Sequence, residues 1–153
     1  MVKNLIRDHL EEVENRCRIL EEKGLIKQYS EYGIEYLGPA YAVSIVCDRY
    51  SYDDIDIVIE HPNSYKGPYP FTFGLRRDYY RVCCEPEYYQ HHTLADFRKM
   101  PRLEALFVFI DFFIDHFSTY TNKAYCEKWK WDLSSHYNEY FHLVDQQTAD
   151  TQT

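Results

Sequence analysis

Residues 41–60 read YAVSIVCDRYSYDDIDIVIE, and two alternating runs inside them decide the fold. Tyr41, Val43, Ile45 and Cys47 alternate with Ala42, Ser44 and Val46, and Ile55, Ile57 and Ile59 alternate with Asp54, Asp56, Val58 and Glu60. A period of two places each apolar set on one face of a strand, the pattern of a half-buried sheet. The segment between the runs, 48–54, is polar and turn-like, so the two strands are expected to pair antiparallel.

Further strand signals flank this pair. An earlier strand is expected at 34–37, punctuated by Gly38-Pro39. Residues 71–75 and 79–84 read as two later strands joined around Arg76-Arg77-Asp78. Between the two pairs, residues 61–70 contain three prolines and one glycine, with Tyr65 and Tyr69 as aromatic anchors. Loops of this kind often carry function, because a rigid scaffold presents them at the surface.

Helical spacing dominates both ends of the chain. Ile6, Leu10, Val13, Cys17 and Leu20 fall on one face of an N-terminal helix, and Gly24 stands where a C′ glycine ends one, with Leu25 placed to pack back. Thr93 and Asp96 resemble a capping pair, and Pro101 suits the start of a helix. From 103 to 117 apolar residues cover nearly the whole helical circumference, as in a helix buried at a domain centre or in an obligate interface. Glu104, Asp111, Asp115 and Ser118 share the remaining stripe, which reads as its solvent edge. A last helix is expected over 122–144.

Segregated strands and helices give an α+β fold: an N-terminal helix, about five mainly antiparallel strands, and two to three C-terminal helices packed on one face. The length suits a single globular domain over 1–144, with a flexible polar tail over 145–153.

Composition narrows function more than motifs do. Sixteen of 153 residues are tyrosine, and 17 basic against 25 acidic residues give a formal charge of −8. Tyrosine offers broad contact area with a polar tip and is enriched at protein interfaces, while acidic surface favours basic partners. No basic tract suits nucleic acid or anionic lipid, and the longest apolar run is about half the ~20 residues that span a bilayer. Five cysteines in no framework spacing, after a start with no apolar signal region, point to the cytoplasm with free thiols.

Several constellations bear on chemistry. Cys83-Cys84 and His91-His92 are the sharpest metal candidates, yet adjacent strand residues face opposite ways and no C-x-x-C is present, so no metal is expected. The acids around Asp53 lack the glycine and terminal glutamate of a calcium loop. Five glycines, none in nucleotide-binding spacing, and no G-x-S-x-G leave no cofactor to expect. Arg76, Arg77 and Arg81 form the densest positive group, which reads most simply as partners for the chain's acids.

Three functions follow as expectations. The first is a non-catalytic binding protein, of the type of a toxin-neutralising immunity protein or phage-type inhibitor. It would dock a basic partner protein through Tyr50, Tyr52, Asp53, Asp54 and Asp56, with Tyr65 and Tyr69 from the proline loop. The second is a small enzyme or ligand binder with an aromatic pocket between sheet and helices, using Arg76, Arg81, Asp111 and His116. The third is a structural subunit, a homodimer packed through the apolar helix at 103–117.

Overall fold

A computed structural model describes residues 3–61, 71–84 and 93–135, with backbone alone at 71, 84 and 130–135. Residues 62–70 of the proline loop, His91-His92, the end of the expected last helix and the polar tail lie outside the described residues.

The N-terminal helical run has three segments, α1 (Leu5–Asp8), α2 (Leu10–Arg16) and α3 (Arg18–Glu22), with joints at His9 and Cys17. Ile6, Val13, Cys17 and Leu20 are fully buried, as their spacing predicts. The run stops at Gly24, whose φ of 91° is a backbone conformation that L side chains rarely adopt. Gly24 N–H donates to Glu21 O and Leu25 N–H to Leu20 O, the paired bonds of a Schellman end.

The sheet is a five-stranded antiparallel meander in chain order: β1 (Ile26–Tyr29), β2 (Gly33–Leu37), β3 (Ala42–Cys47), β4 (Ile55–His61) and β5 (Phe71–Gly74). Its register stacks Ile34 on Ile45 and Ile57, and Tyr36 on Val43, Ile59 and Phe73. All seven are buried and belong to one core with the helices. Gly33 sits so close to β3 that a Cβ there would run into Ile45 O.

Two sequence expectations change. Residues 79–84 are not a strand: they belong to α4 (Leu75–Cys84). Leu75, Tyr79, Val82 and Cys83 are its buried apolar positions, separated by 4, 3 and 1, which is a helix face and not a period of two. The fifth strand is instead β1, a short edge strand with Ile26 and Tyr29 exposed, so no buried alternation marks it in the sequence.

Several helices follow the sheet, so the segregated α+β arrangement is the one the chain adopts. After α4 come α5 (Leu94–Lys99), α6 (Arg102–Asp115), α7 (Phe117–Tyr120) and α8 (Lys123–Ser135). The Thr93–Asp96 box is complete: Thr93 Oγ1 accepts from Asp96 N–H at 3.1 Å, and Asp96 Oδ2 accepts from Thr93 N–H at 3.0 Å. Helix α6 buries Leu106, Phe109, Ile110, Phe112 and Phe113, and Glu104, Asp111, Asp115 and Ser118 are exposed together, as the stripe predicts.

One buried carboxylate ties these helices together. Asp78, fully buried on α4, accepts from Arg81 Nε at 2.8 Å, Tyr120 OH at 2.7 Å and Tyr125 OH at 2.8 Å. The Arg81 guanidinium lies 3.7 Å from the centroid of Trp129. Burial and the neighbouring carboxylate push both tyrosine hydroxyls far above their ordinary range, so they stay protonated donors. A charge at this depth is tolerable only with such a full set of partners. Tyr120→Phe is expected to lower the unfolding free energy by about 1–3 kcal/mol. Asp78→Ala leaves Arg81 uncompensated and should cost about 3–5 kcal/mol. Urea denaturation of both variants checks this, and two losses below about 0.5 kcal/mol would contradict the tie.

Candidate functional site

The loop at 48–54 is held by its own polar side chains. Asp48 N–H donates to Asp54 O at 2.8 Å and closes it, and Ser51 N–H donates to Asp48 O at 3.0 Å. Asp48 Oδ1 accepts from Tyr50 N–H at 3.0 Å, an Asx turn. Ser51 Oγ accepts from Asp53 N–H at 3.3 Å and Asp54 N–H at 3.1 Å. Asp and Ser at these spacings are what bends the chain here, because short polar side chains replace the missing ladder bonds.

Helix α1 clamps the same end of the sheet. Leu5 N–H donates to Tyr52 O at 2.8 Å, and Tyr52 OH donates to Asp8 Oδ2 at 2.7 Å. The buried Asn4 caps α1 by accepting from Arg7 N–H at 2.9 Å, while its Nδ2 donates to Tyr32 O at 3.2 Å. Arg7 reaches Glu31 O and Ser30 O, both at 2.8 Å. Against this fixed backbone Tyr50 is 85% exposed and Tyr52 48% exposed. The Arg49 guanidinium lies 4.9 Å from the Tyr50 ring centroid.

The structure therefore gathers Tyr50, Tyr52, Asp53 and Asp54 on one loop. Asp54 is ion-paired with Arg76 on α4. Asp56, the fifth expected contact, serves the fold: its Oδ1 accepts from Arg76 N–H at 2.9 Å, in the first turn of α4, and from its neighbour Ile57 N–H at 2.8 Å. It stands in for an N-cap supplied from another strand. Tyr65 and Tyr69 lie outside the described residues.

The four residues of the alternative pocket occupy separate contacts. Arg76 holds Asp54, and Arg81 holds Asp78. Asp111 pairs with Arg16 at 2.6 Å on the surface, where Arg16 also covers the Phe107 ring at 4.2 Å. His116 caps α6, its Nδ1 2.9 Å from Phe112 O. A surface groove of about 460 Å³ between α2 and α6 includes Asp111, and a smaller cleft of about 70 Å³ between loop 48–54 and α4–α6 includes Arg76. Neither brings two of the four together.

The cleft contains residues that sequence spacing did not single out for a site: Tyr80, Phe97, Arg102, Leu106 and Phe109. They come from three helices, and only tertiary packing sets them side by side. Among the described residues no group of three or more His, Cys, Asp or Glu is placed to hold a metal ion. Cys17, Cys47 and Cys126 are buried thiols outside any disulfide, Cys83 is buried as well, and burial pushes the Cys17 and Cys126 thiols up to about 12. Among the described residues no helix is long and apolar enough to cross a membrane. No protein-family model, no curated protein and no solved structure matches the chain.

Burial pushes the Asp56 carboxyl up to about 6 from an ordinary 3.8, against the lowering effect of its two backbone donors. A raised folded value means that the ionised form costs stability above pH 6 and that the cost disappears as pH falls toward 4. Relative to Asp56→Asn, the wild-type chain should gain stability on the order of 3 kcal/mol between pH 7 and pH 4. Urea midpoints of both proteins across that range check it, and a pH-independent difference would contradict it.

Proposed function

We propose that this chain is a non-catalytic binding protein that docks a basic partner protein through the loop at 48–54. The observation that carries the reading is Tyr50, 85% exposed on a loop whose Asp48, Tyr50, Ser51, Asp53 and Asp54 amides are already bound. An aromatic side chain held in water on an ordered loop is an interface anchor in waiting, since little conformational freedom remains to be lost on binding. Asp48, Asp53 and Asp54 belong to the same loop, and the whole chain carries −8. Acidic surface of this kind speeds encounter with a basic protein and rejects acidic ones.

Size, acidity and loop chemistry fit an immunity protein or phage-type inhibitor that covers a basic active site. Buried thiols outside any disulfide at Cys17, Cys47 and Cys126 fit a reducing compartment such as the cytoplasm. The separate contacts of Arg76, Arg81, Asp111 and His116 favour the docking reading over the enzyme one. The cleft beside the loop, at about 70 Å³, is well below the roughly 300–1,000 Å³ of small-molecule sites, and the open groove of about 460 Å³ between α2 and α6 holds only Asp111 of those four residues.

The test is capture from the native host at low and high salt, with wild-type chain and with a Tyr50→Ala/Asp53→Asn variant side by side. A stoichiometric basic protein should be retained by the wild type at low salt, weakened at high salt, and lost or reduced at least about tenfold with the variant, the scale of a hot-spot tyrosine plus one charge contact. Equal retention by both proteins would remove the loop as the docking site.

A further inference from the structure

Strand β1 is an open sheet edge with its bonding groups in place. Ser30 N–H donates to Gly33 O at 3.0 Å and closes the β1–β2 hairpin. Antiparallel bonding alternates from that point. Gln28 and Ile26 therefore exchange bonds with Glu35 and Leu37, while Lys27 and Tyr29, opposite Tyr36 and Ile34, turn their N–H and C=O away from β2. Among the described residues no strand and no hydrogen bond meets those outward groups. Ile26 is 71% exposed and Tyr29 54%, so the chain leaves this edge uncovered. Devices that usually blunt an edge are missing from it. β1 has no proline and no bulge, and its register runs unbroken through four pairs. Its one charge does not guard it either: Lys27 Nζ lies 3.2 Å from Glu14 and 3.3 Å from Glu21, drawn to the helix side and neutralised there.

We propose that β1 pairs antiparallel with β1 of a second copy of this chain, about a two-fold axis through Gln28, and so joins two sheets into one. Strand addition of this kind takes its affinity from main-chain bonds. An axis through Gln28 uses both open residues of both copies: Lys27 of each exchanges N–H···O bonds with Tyr29 of the other. A register centred on Lys27 would set two ammonium groups face to face, and one centred on Tyr29 would run Lys27 into the hairpin turn of the other copy. The side chains match the Gln28 axis as well. Tyr29 OH donates to Glu14, so Lys27 of one copy meets a ring of the other that is backed by a carboxylate. The same two groups already approach within one chain, where Lys27 Nζ lies 5.7 Å from the Tyr29 ring centroid. Ile26 leaves water beside Ser30 of the second copy. Pairing at β1 is independent of the docking reading above. The two-fold axis reverses strand direction, so the two loops at 48–54 stand at opposite ends of the joined sheet and both stay open to partners.

Sedimentation equilibrium of the full-length chain, from micromolar to hundreds of micromolar, reads the pairing. The average mass should rise with concentration from that of one chain toward that of two. Gln28 is exposed, so its side chain can be changed without disturbing the core. In the pair it faces its own copy across the axis, where the Cα atoms of such a non-hydrogen-bonded pair lie about 4.5 Å apart. Gln28→Lys and Gln28→Glu should therefore each weaken self-association at least about tenfold, the scale of like charges set opposite one another at an interface. Mixed in equal amounts, the two variants should pair again at least as tightly as the wild type, because the two new charges are opposite. Thermal unfolding midpoints close to the wild-type value should show that both variants keep their fold. A wild-type mass that stays at one chain throughout overturns the proposal. So does a two-chain mass that neither variant weakens, and so do folded variants that separate and fail to recombine on mixing.

Discussion

The cap of α1 by Asn4 is the constraint on which the exposed end of this molecule depends. One buried side chain satisfies the Arg7 amide with its oxygen and the Tyr32 carbonyl with its nitrogen. That pair of bonds fixes where α1 begins and against which sheet turn it lies. From there Leu5 N–H meets Tyr52 O, and Asp8 meets the Tyr52 hydroxyl. A buried amide with an unmet donor or acceptor is costly, so the arrangement holds as a unit or not at all. The exposed loop at 48–54 owes its fixed shape to this clamp as much as to its own Asx and serine turns.

A second polar device acts among the helices. Asp78 draws Arg81, Tyr120 and Tyr125 to one buried point and so joins α4 to α7 and α8. Apolar replacements of similar volume often match the stability of a buried ion pair. What the carboxylate adds is direction: only one orientation of the three helices meets its lone pairs. That orientation also sets Tyr80, one turn along α4 from Arg76, as a wall of the cleft. Asp56 completes the positioning by capping α4 from the sheet. The two devices place the loop and the cleft next to each other although their residues come from β4, α4, α5 and α6.

Much of the fold was legible because burial follows period. Val43, Ile45, Ile57 and Ile59 alternate and are buried, and Gly24 and Thr93 announce helix ends by local chemistry. Residues 79–84 misled because a run this short carries strand and helix signals together; Leu75, Tyr79, Val82 and Cys83 hold the helical one. Strand β1 was silent because it is an edge strand that buries little. The site was legible only in its local part: Tyr50, Tyr52, Asp53 and Asp54 are neighbours in sequence. Asp56 shared their charge but not their role, since its partner, the Arg76 amide, lies 20 positions away. The cleft residues shared no spacing at all, and Arg76, Arg81, Asp111 and His116 were grouped by residue type where the packing separates them.

The account stands on the loop at 48–54 being a fixed element in the free protein. Amide hydrogen exchange on the isolated chain tests that most directly. The amides of Asp48, Tyr50, Ser51, Asp53 and Asp54, each a donor within the loop, should be protected, and Asn4→Ala should speed their exchange more than that of the central strands β3 and β4. Exchange at the rate of an unstructured chain for those five amides in the wild-type protein would contradict the account.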